Sequence, residues 1–245
     1  MTTASAAPAA PCRDPLYRGS RFPAEIISHA VWLCYRFALS RRDVEELLAE
    51  RGAQVSYEAI RLWCQRFGPI FAGKLRRQRA RSADTWHLDE VQSKIRGKRH
   101  WLWRAVDCDG VVLDILVQER RNREAAERFL RRVLDGEEQA PRVAVTDKLA
   151  SYPPAIKRVP PTAEHRRHKG LNNRAQSSHR PARKRERVLQ RFTSPAHAQR
   201  FLEPFSAVGN HFRPRRHLLP AERYRQLRTE RFRRRREAAR LHLAA

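Results

Sequence analysis

Val143-Ala144-Val145 is short and wholly apolar, and Thr146-Asp147 closes it. A strand without polar alternation has to be covered on both faces, as parallel strands are in sheets layered between helices. That requirement selects an α/β fold. Upstream, Thr85–Val91, Trp101–Asp107 and Val111–Val117 read as three strands, with a tight hairpin at Asp107-Cys108-Asp109-Gly110 between the last two. Asn122 caps a helix that turns Ala125, Ala126, Phe129, Leu130, Val133 and Leu134 inward, and Asp135-Gly136 stops it. Three strands, a helix and a buried strand are the order of a ribonuclease-H-like core, a mixed five-stranded sheet with helices. The meander and its crossover bring the ends of strands one and four together. Asp89 and Asp147 therefore converge although 58 residues separate them (147 − 89).

The residues before that core have a helical period. Ile26, Ile27, Ala30, Val31 and Cys34 recur at three- and four-residue steps. Ser40 caps a second helix with Val44, Leu47 and Leu48 on one face, and Gly52 breaks it. Ser56 caps a third, carrying Ile60, Trp63, Cys64 and Phe67. Helix, glycine-containing turn and helix outline a helix-turn-helix, whose second helix would present Tyr57, Glu58, Arg61, Gln65 and Arg66 to a major groove. A plain three-helix bundle shows the same apolar spacing. The charge background favours the DNA-binding reading. The expected organisation is a loose tail over 1–20, a small all-α helix-turn-helix domain over 21–71, a basic linker over 72–84, the catalytic core over 85–210, and a basic helical tail over 211–245.

Charge narrows the partners. Lys and Arg total 52 against 26 Asp and Glu, a formal net charge of +26 over 245 residues. Such an excess repels itself until a polyanion neutralises it, so nucleic acid is the expected partner. No basic amphipathic stretch of the membrane-lying kind is present, and no apolar run reaches the ~18 residues that span a bilayer. Cys12, Cys34, Cys64 and Cys108 form no CxxC pair, which argues against a zinc knuckle and a disulfide framework and fits a reducing bacterial cytoplasm, associated with the nucleoid.

Cleavage of phosphodiesters by two magnesium ions needs hard oxygen ligands that hold the ions ~3.5–4 Å apart. Asp89, on the central strand, suits the bridging position, and Asp147 suits a flank. Either aspartate alone is an ordinary strand-end residue; the pair in this topology is not. Glu90 points to the opposite sheet face and takes no metal. His87 is a packed neighbour, Asp107 and Asp109 are hairpin residues, and His165 and His168 form an H-x-x-H on a charged segment with little claim to a metal. The run Arg174, Arg180, Arg183, Lys184, Arg185, Arg187 and Arg191 flanks the proposed site and suits phosphate contact.

Several blocks resemble the DDE transposases of the bacterial insertion-sequence family called IS-six. They are Trp-Leu-Trp-Arg-Ala-Val-Asp (101–107), Arg-Glu-Ala-Ala-Glu-Arg-Phe (123–129), Val-Thr-Asp-Lys-Leu-Ala-Ser-Tyr (145–152), Leu-Asn-Asn-Arg-Ala (171–175), Ser-His-Arg-Pro (178–181) and Arg-Lys-Arg-Glu-Arg (183–187). The similarity runs from about residue 15 to about residue 225. It implies binding of terminal inverted repeats by the helix-turn-helix, a catalytic domain using two Mg2+ or Mn2+ ions, and replicative transposition by strand cleavage and strand transfer into target DNA. It implies a homo-oligomer on double-stranded DNA, with Lys148 and the α-helical basic run among the DNA contacts.

By position, Asp89 and Asp147 match the first two acidic residues of the family's triad, and Gln176 stands where the third, a glutamate, is expected. Glutamine nearly matches glutamate in shape but brings no charge to a site meant for two dications. Glu186 lies ~15 Å further along a helix, and Glu164 precedes the motif, so neither substitutes. Val91-Gln92 replaces the usual Thr-Tyr, and Pro204 is expected to interrupt a helix opening at Ser194-Pro195. The expectation is a transposase with metal-dependent chemistry impaired at Gln176. The alternative is a catalytically inactive DNA-binding relic that competes with active copies. A structural RNA-binding protein would leave the two strand-end aspartates unexplained.

Overall fold

The computed structural model describes residues 14–79, 82–188, 192–213 and 219–241. Residues 1–13, with most of the expected tail and Cys12, and Arg81 and Arg191 of the basic runs, lie outside the described residues. So do the side chain of Arg174 and residues 214–218.

Five strands form one mixed sheet: β1 (Thr85–Ile95), β2 (Lys98–Asp107), β3 (Val112–Gln118), β4 (Val143–Thr146) and β5 (Glu164–Arg167), in the order β3-β2-β1-β4-β5. The first three are antiparallel neighbours; β4 pairs with β1, and β5 with β4, in parallel. β1 and β2 overrun their expected limits because a tight turn joins them, with Arg96 (φ 50) and Gly97 (φ 79) both left-handed. Such a turn matches the twist of its flanking strands. No apolar pattern marks this hairpin in the sequence, because its tip is charged. The same holds for β5, Glu-His-Arg-Arg, an edge strand held by its backbone pairing with β4.

Helices cover both faces of the sheet. On one side α4 (Arg123–Asp135) and α5 (Tyr152–Arg158) pack Phe129, Leu130, Tyr152 and Ile156 against Trp86, Leu88, Trp103 and Leu113. On the other lie α6 (Asn173–Val188) and α7 (Pro195–His211), together with α1 (Ala24–Arg36), α2 (Arg41–Ala49), α3 (Tyr57–Arg77) and α8 (Ala221–Ala238). Val143, Ala144 and Val145 are all buried, the two-faced burial that their composition requires. Among the described residues no helix is long and apolar enough to cross a membrane.

Local capping explains the helix starts. Ser40 and Asp43 form a reciprocal capping box (3.0 and 2.7 Å), and Ser56 and Asn122 each accept from the backbone three residues on. Edge strand β3 is protected by amides of α7. Asn210 bonds both the N–H and the C=O of Val112 (2.9 and 2.7 Å), and Gln199 bonds Val117 N and Ile115 O (2.8 and 2.9 Å). These bonds occupy the backbone groups that an open edge would offer to another chain.

Four expectations need correction. α3 continues through Pro69 to Arg77, because Phe67, Phe71 and Leu75 extend its buried stripe at four-residue steps, so the linker is much shorter than 72–84. α7 runs uninterrupted through Pro204; one missing helical hydrogen bond is outweighed by burial of Phe201, Leu202, Phe205 and Val208. Residues 14–20 are not loose. Pro15–Tyr17 is a short 3-10 helix, and the buried Tyr17 donates a 2.6 Å hydrogen bond to Ala239 O. The arginine-rich α8 is no free tail either, since Phe232 packs on Trp32 and Phe212, and Arg235 lies over the Trp32 ring. One continuous core therefore joins α1–α3 to the sheet, chiefly through α7.

The tightest approach within that core is α1 against α3. A Cβ added at Gly68 would stand 2.7 Å from the ring and hydroxyl of Tyr35, which is buried and bonded to Cys64 O. Replacing glycine by alanine inside a helix ordinarily gains about 1 kcal/mol. Here the clash dominates, and Gly68→Ala is expected to destabilise by about 1–3 kcal/mol. Urea unfolding measures it; a variant as stable as the parent would show that the ring yields freely.

Candidate active site

The parallel register of β1 and β4 pairs Thr85 with Val143, Trp86 with Ala144 and His87 with Val145. Carried two residues on, it sets Asp89 level with Asp147 on neighbouring strands, whose spacing is ~4.8 Å. The start of α6 closes the third side. Its preceding turn is fixed by Asn172, fully buried, which donates from its amide to Leu88 O at 2.7 Å. The result is an open cleft of ≈ 730 Å³ lined by Asp89, Glu90, Asp147, Gln176, Arg180 and Arg183, among others.

Asp89 is buried and Asp147 half-exposed. Asp147 accepts from Leu149 N at 2.9 Å and stands 4.0 Å from the Arg121 guanidinium. Nε2 of His179, on α6, lies 3.3 Å from Asp89 Oδ2. Burial lowers the His179 pKa, and Arg104 and Arg183 add to that, while Asp89 opposes it. Arg104, directly opposite Asp89 on β2, is itself buried and pushed down to about 9 by desolvation. Asp89 is thus backed by the His179 imidazole, with the desolvated Arg104 opposite it on the neighbouring strand.

Glu90 does turn to the other sheet face, as alternation demands, yet it edges the same cleft. There Arg121 donates to Oε1 (2.7 Å from Nε) and Tyr152 donates to Oε2 (2.8 Å). Arg121 also lies over the Trp101 ring, 4.7 Å from its centroid. Burial raises the Glu90 carboxyl to about 7, with Asp147 adding repulsion and the two donors opposing.

Gln176 is exposed at the rim, where an anionic ligand would complete the set. Among the described residues no cluster of three or more histidine, cysteine or carboxylate side chains is gathered to hold a metal. Glu186 is engaged elsewhere, accepting from Ser93 Oγ at 2.9 Å, and Glu164 pairs with Arg166. His165 and His168 have separate tasks: the first meets Thr146 Oγ1 at 2.9 Å, the second accepts from Gly170 N. Two carboxylates and one amide oxygen suit one hard dication. A second would lack an anionic ligand of its own.

The basic residues divide. Arg180 and Arg183 line the cleft, while Lys148, next to Asp147, and Lys184 and Arg187, further along α6, are exposed. Arg185 is the correction. It is 1 % exposed, and its guanidinium donates to Cys34 O (2.7 Å) and Leu39 O, so it fastens α6 to α1 and cannot meet phosphate. On α3, Tyr57, Gln65 and Arg66 are exposed and Arg61 is half-buried. Arg61 pairs with Glu58 at 2.5 Å, and Arg66 donates to the carbonyls of Leu16 and Arg18. Asn172, His179, Arg104, Arg121 and Tyr152 were missed as site residues. All but Arg121 lie within the blocks quoted above, but only the fold shows them surrounding the aspartates.

The family described as a DDE domain matches residues 83–215. The transposase for insertion sequence-like element IS431mec of Staphylococcus aureus is 29% identical over 197 residues, covering 78% of this chain and 88% of that protein. The transposase for insertion sequence element IS257 in transposon Tn4003, also of Staphylococcus aureus, matches with the same identity and coverage. A solved simian T-cell lymphotropic virus intasome in complex with PP2A regulatory subunit B56 gamma aligns with a TM-score of 0.40 at 17% identity, over 58% of each chain, too distant a likeness to build on.

Glu90 gives the site a measurable pH signature. Its folded value, about 7, lies above the ordinary 4.5. Between those values the folded state binds the extra proton, so stability falls as pH rises through that window. Glu90→Gln does not titrate. The stability of the parent relative to this variant should therefore drop between pH 4.5 and 7 and level off above. Urea unfolding across that range reads it, and a constant difference would contradict the assignment.

Proposed function

Because the chain belongs to the DDE-domain transposases of the IS-six insertion-sequence family, we propose that it binds the terminal inverted repeats of its element and carries strand cleavage and strand transfer at the Asp89–Asp147 cleft, weakened by Gln176. The observation that carries this reading is the parallel register that sets the two aspartates level in a cleft walled by Arg180 and Arg183. The natural partner is double-stranded DNA, of element end and target, met by a homo-oligomer in the bacterial cytoplasm.

α2 and α3 form the helix-turn-helix, with Tyr57, Arg61 and Gln65 facing the groove and Arg66 bracing its edge. Phosphates run past Lys148, Arg174, Arg180, Arg183, Lys184 and Arg187, each favourable contact adding to a salt-sensitive affinity. Asp89, beside the His179 imidazole, and Asp147, which accepts from Leu149 N, are the anionic ligands. Divalent cations bound at such carboxylates supply an activated hydroxyl nucleophile and offset charge on the leaving oxygen. Gln176 offers one neutral amide oxygen where two dications, Mg2+ or Mn2+, would need a charge. The lost transition-state stabilisation is of the order of several kcal/mol. The same observation favours a second reading, a DNA-binding relic that occupies element ends and competes with active copies during replicative transposition.

Strand transfer on a labelled duplex bearing the element's end separates the readings. Gln176→Glu is expected to raise the rate by about 10²-fold or more over the parent, and Asp89→Asn to abolish it. Parent activity equal to that of Gln176→Glu would refute impairment. Binding of the duplex without cleavage by either would support the relic. Mn2+ titration followed by electron paramagnetic resonance should show tighter binding by Gln176→Glu, independently of turnover.

A further inference from the structure

Cys34, on α1, and Cys64, on α3, open onto the same small pocket, and both are free. They lie 2 % and 7 % exposed, and the pocket measures ≈ 40 Å³. That is room for a molecule of two or three heavy atoms, since one water occupies about 10–15 Å³ on this measure. The remaining walls include Arg41, Arg61, Arg185, Arg200 and His197, with no carboxylate among them. Two of its walls, Arg61 and Gln65, belong also to the α3 face proposed for DNA, whereas neither cysteine has a part there.

The two thiols differ in character. Contact with Cys64 lowers Cys34 first, and Arg185 and Arg41 add to it against the opposing effect of burial. Cys64 is pushed well up, holding its proton. A thiolate-prone sulfur among cations, with a second thiol against it, is the arrangement of oxidisable cysteine pairs. Cys108 offers the contrast. It is half-buried, and its Sγ lies 3.7 Å from Asp109 Oδ1, beside a carboxylate and not among cations.

We propose that Cys34 and Cys64 form a dithiol modification site, oxidised by hydrogen peroxide to an intramolecular disulfide that ties α1 to α3. Cys34 sulfur attacks one peroxide oxygen, the O–O bond breaks, and the departing hydroxide takes up the proton that Cys34 lost, leaving as water. Cys64 sulfur then attacks the sulfenic sulfur of Cys34. The S–O bond breaks as the S–S bond forms, and the hydroxide leaves with the Cys64 proton as a second water. Two thiols give up two electrons and two protons, and one peroxide becomes two waters. The bond would close where three helices meet, since Tyr35 donates to Cys64 O (3.0 Å) and Arg185 of α6 donates to Cys34 O.

The test uses the full chain carrying Cys12→Ser and Cys108→Ser, treated with a few equivalents of peroxide and read by intact mass and thiol alkylation. The expected result is a loss of about 2 Da, both remaining thiols blocked, and full reversal by dithiothreitol. Adding Cys64→Ser should leave Cys34 as a sulfenic acid that dimedone traps, whereas adding Cys34→Ser should leave Cys64 unreactive. The mass measurement on the parent pair does not depend on those buried substitutions folding. Disulfide-linked dimers, an unchanged mass, or equal dimedone labelling in the two single-thiol variants would overturn the proposal.

Discussion

The parallel pairing of β1 with β4 is the constraint from which the molecule is built. Three apolar residues of β4 need cover on both faces, so helices must flank the sheet on both sides. The same pairing sets the register that brings Asp89 and Asp147 level. A slip of one residue would turn Asp89 away and Glu90 toward α6, into the space now filled by His179. Register, burial and site geometry are therefore one requirement, and the hydrophobic demand of Val143–Val145 enforces it.

What surrounds the aspartates follows from which face each strand residue takes. On the α6 face stand Arg104 and His179, on the α4–α5 face Glu90 with Arg121 and Tyr152. Two sets of buried polar groups back the same cleft through opposite sides of one strand. Each is costly to bury unless satisfied. Glu90 is satisfied on both oxygens, while Arg104 leaves Nε and Nη1 without a hydrogen-bond partner among the described residues and is pushed down to about 9 by desolvation. Such arrangements concentrate where chemistry needs fixed charge.

Much of this was legible in the sequence, for identifiable reasons. Caps at Ser40, Ser56 and Asn122, the apolar β4 and the amphipathic α4 are local signals, and local signals survive without a structure. The central strands and their two aspartates could be placed because strand order alone fixes their neighbours. The failures have a common cause. Arg185, α8 and the last turns of α3 were read from charge as solvent- or DNA-facing. Arg185 instead rests on carbonyls and the Phe201 ring and Arg235 on the Trp32 ring, while Phe71 and Leu75 bury the end of α3 although Arg76 and Arg77 stay exposed. β5 and the Arg96-Gly97 turn carry no apolar pattern, and backbone pairing decides them.

The clasp between Tyr17 and Ala239, with Phe232 resting on Trp32, has a consequence for how the chain is made. Once α1–α3 have left the ribosome they cannot complete their core until α8 follows, because the Phe232 ring on Trp32 and the Ala239 carbonyl on Tyr17 lie 200 (232 − 32) and 222 positions downstream. Contacts so remote in sequence are slow to close. During synthesis the nascent helices wait with apolar surface uncovered, exposed to aggregation and to the cell's chaperones. Emergence of α8, and not of α1–α3, is then the event that seals these contacts.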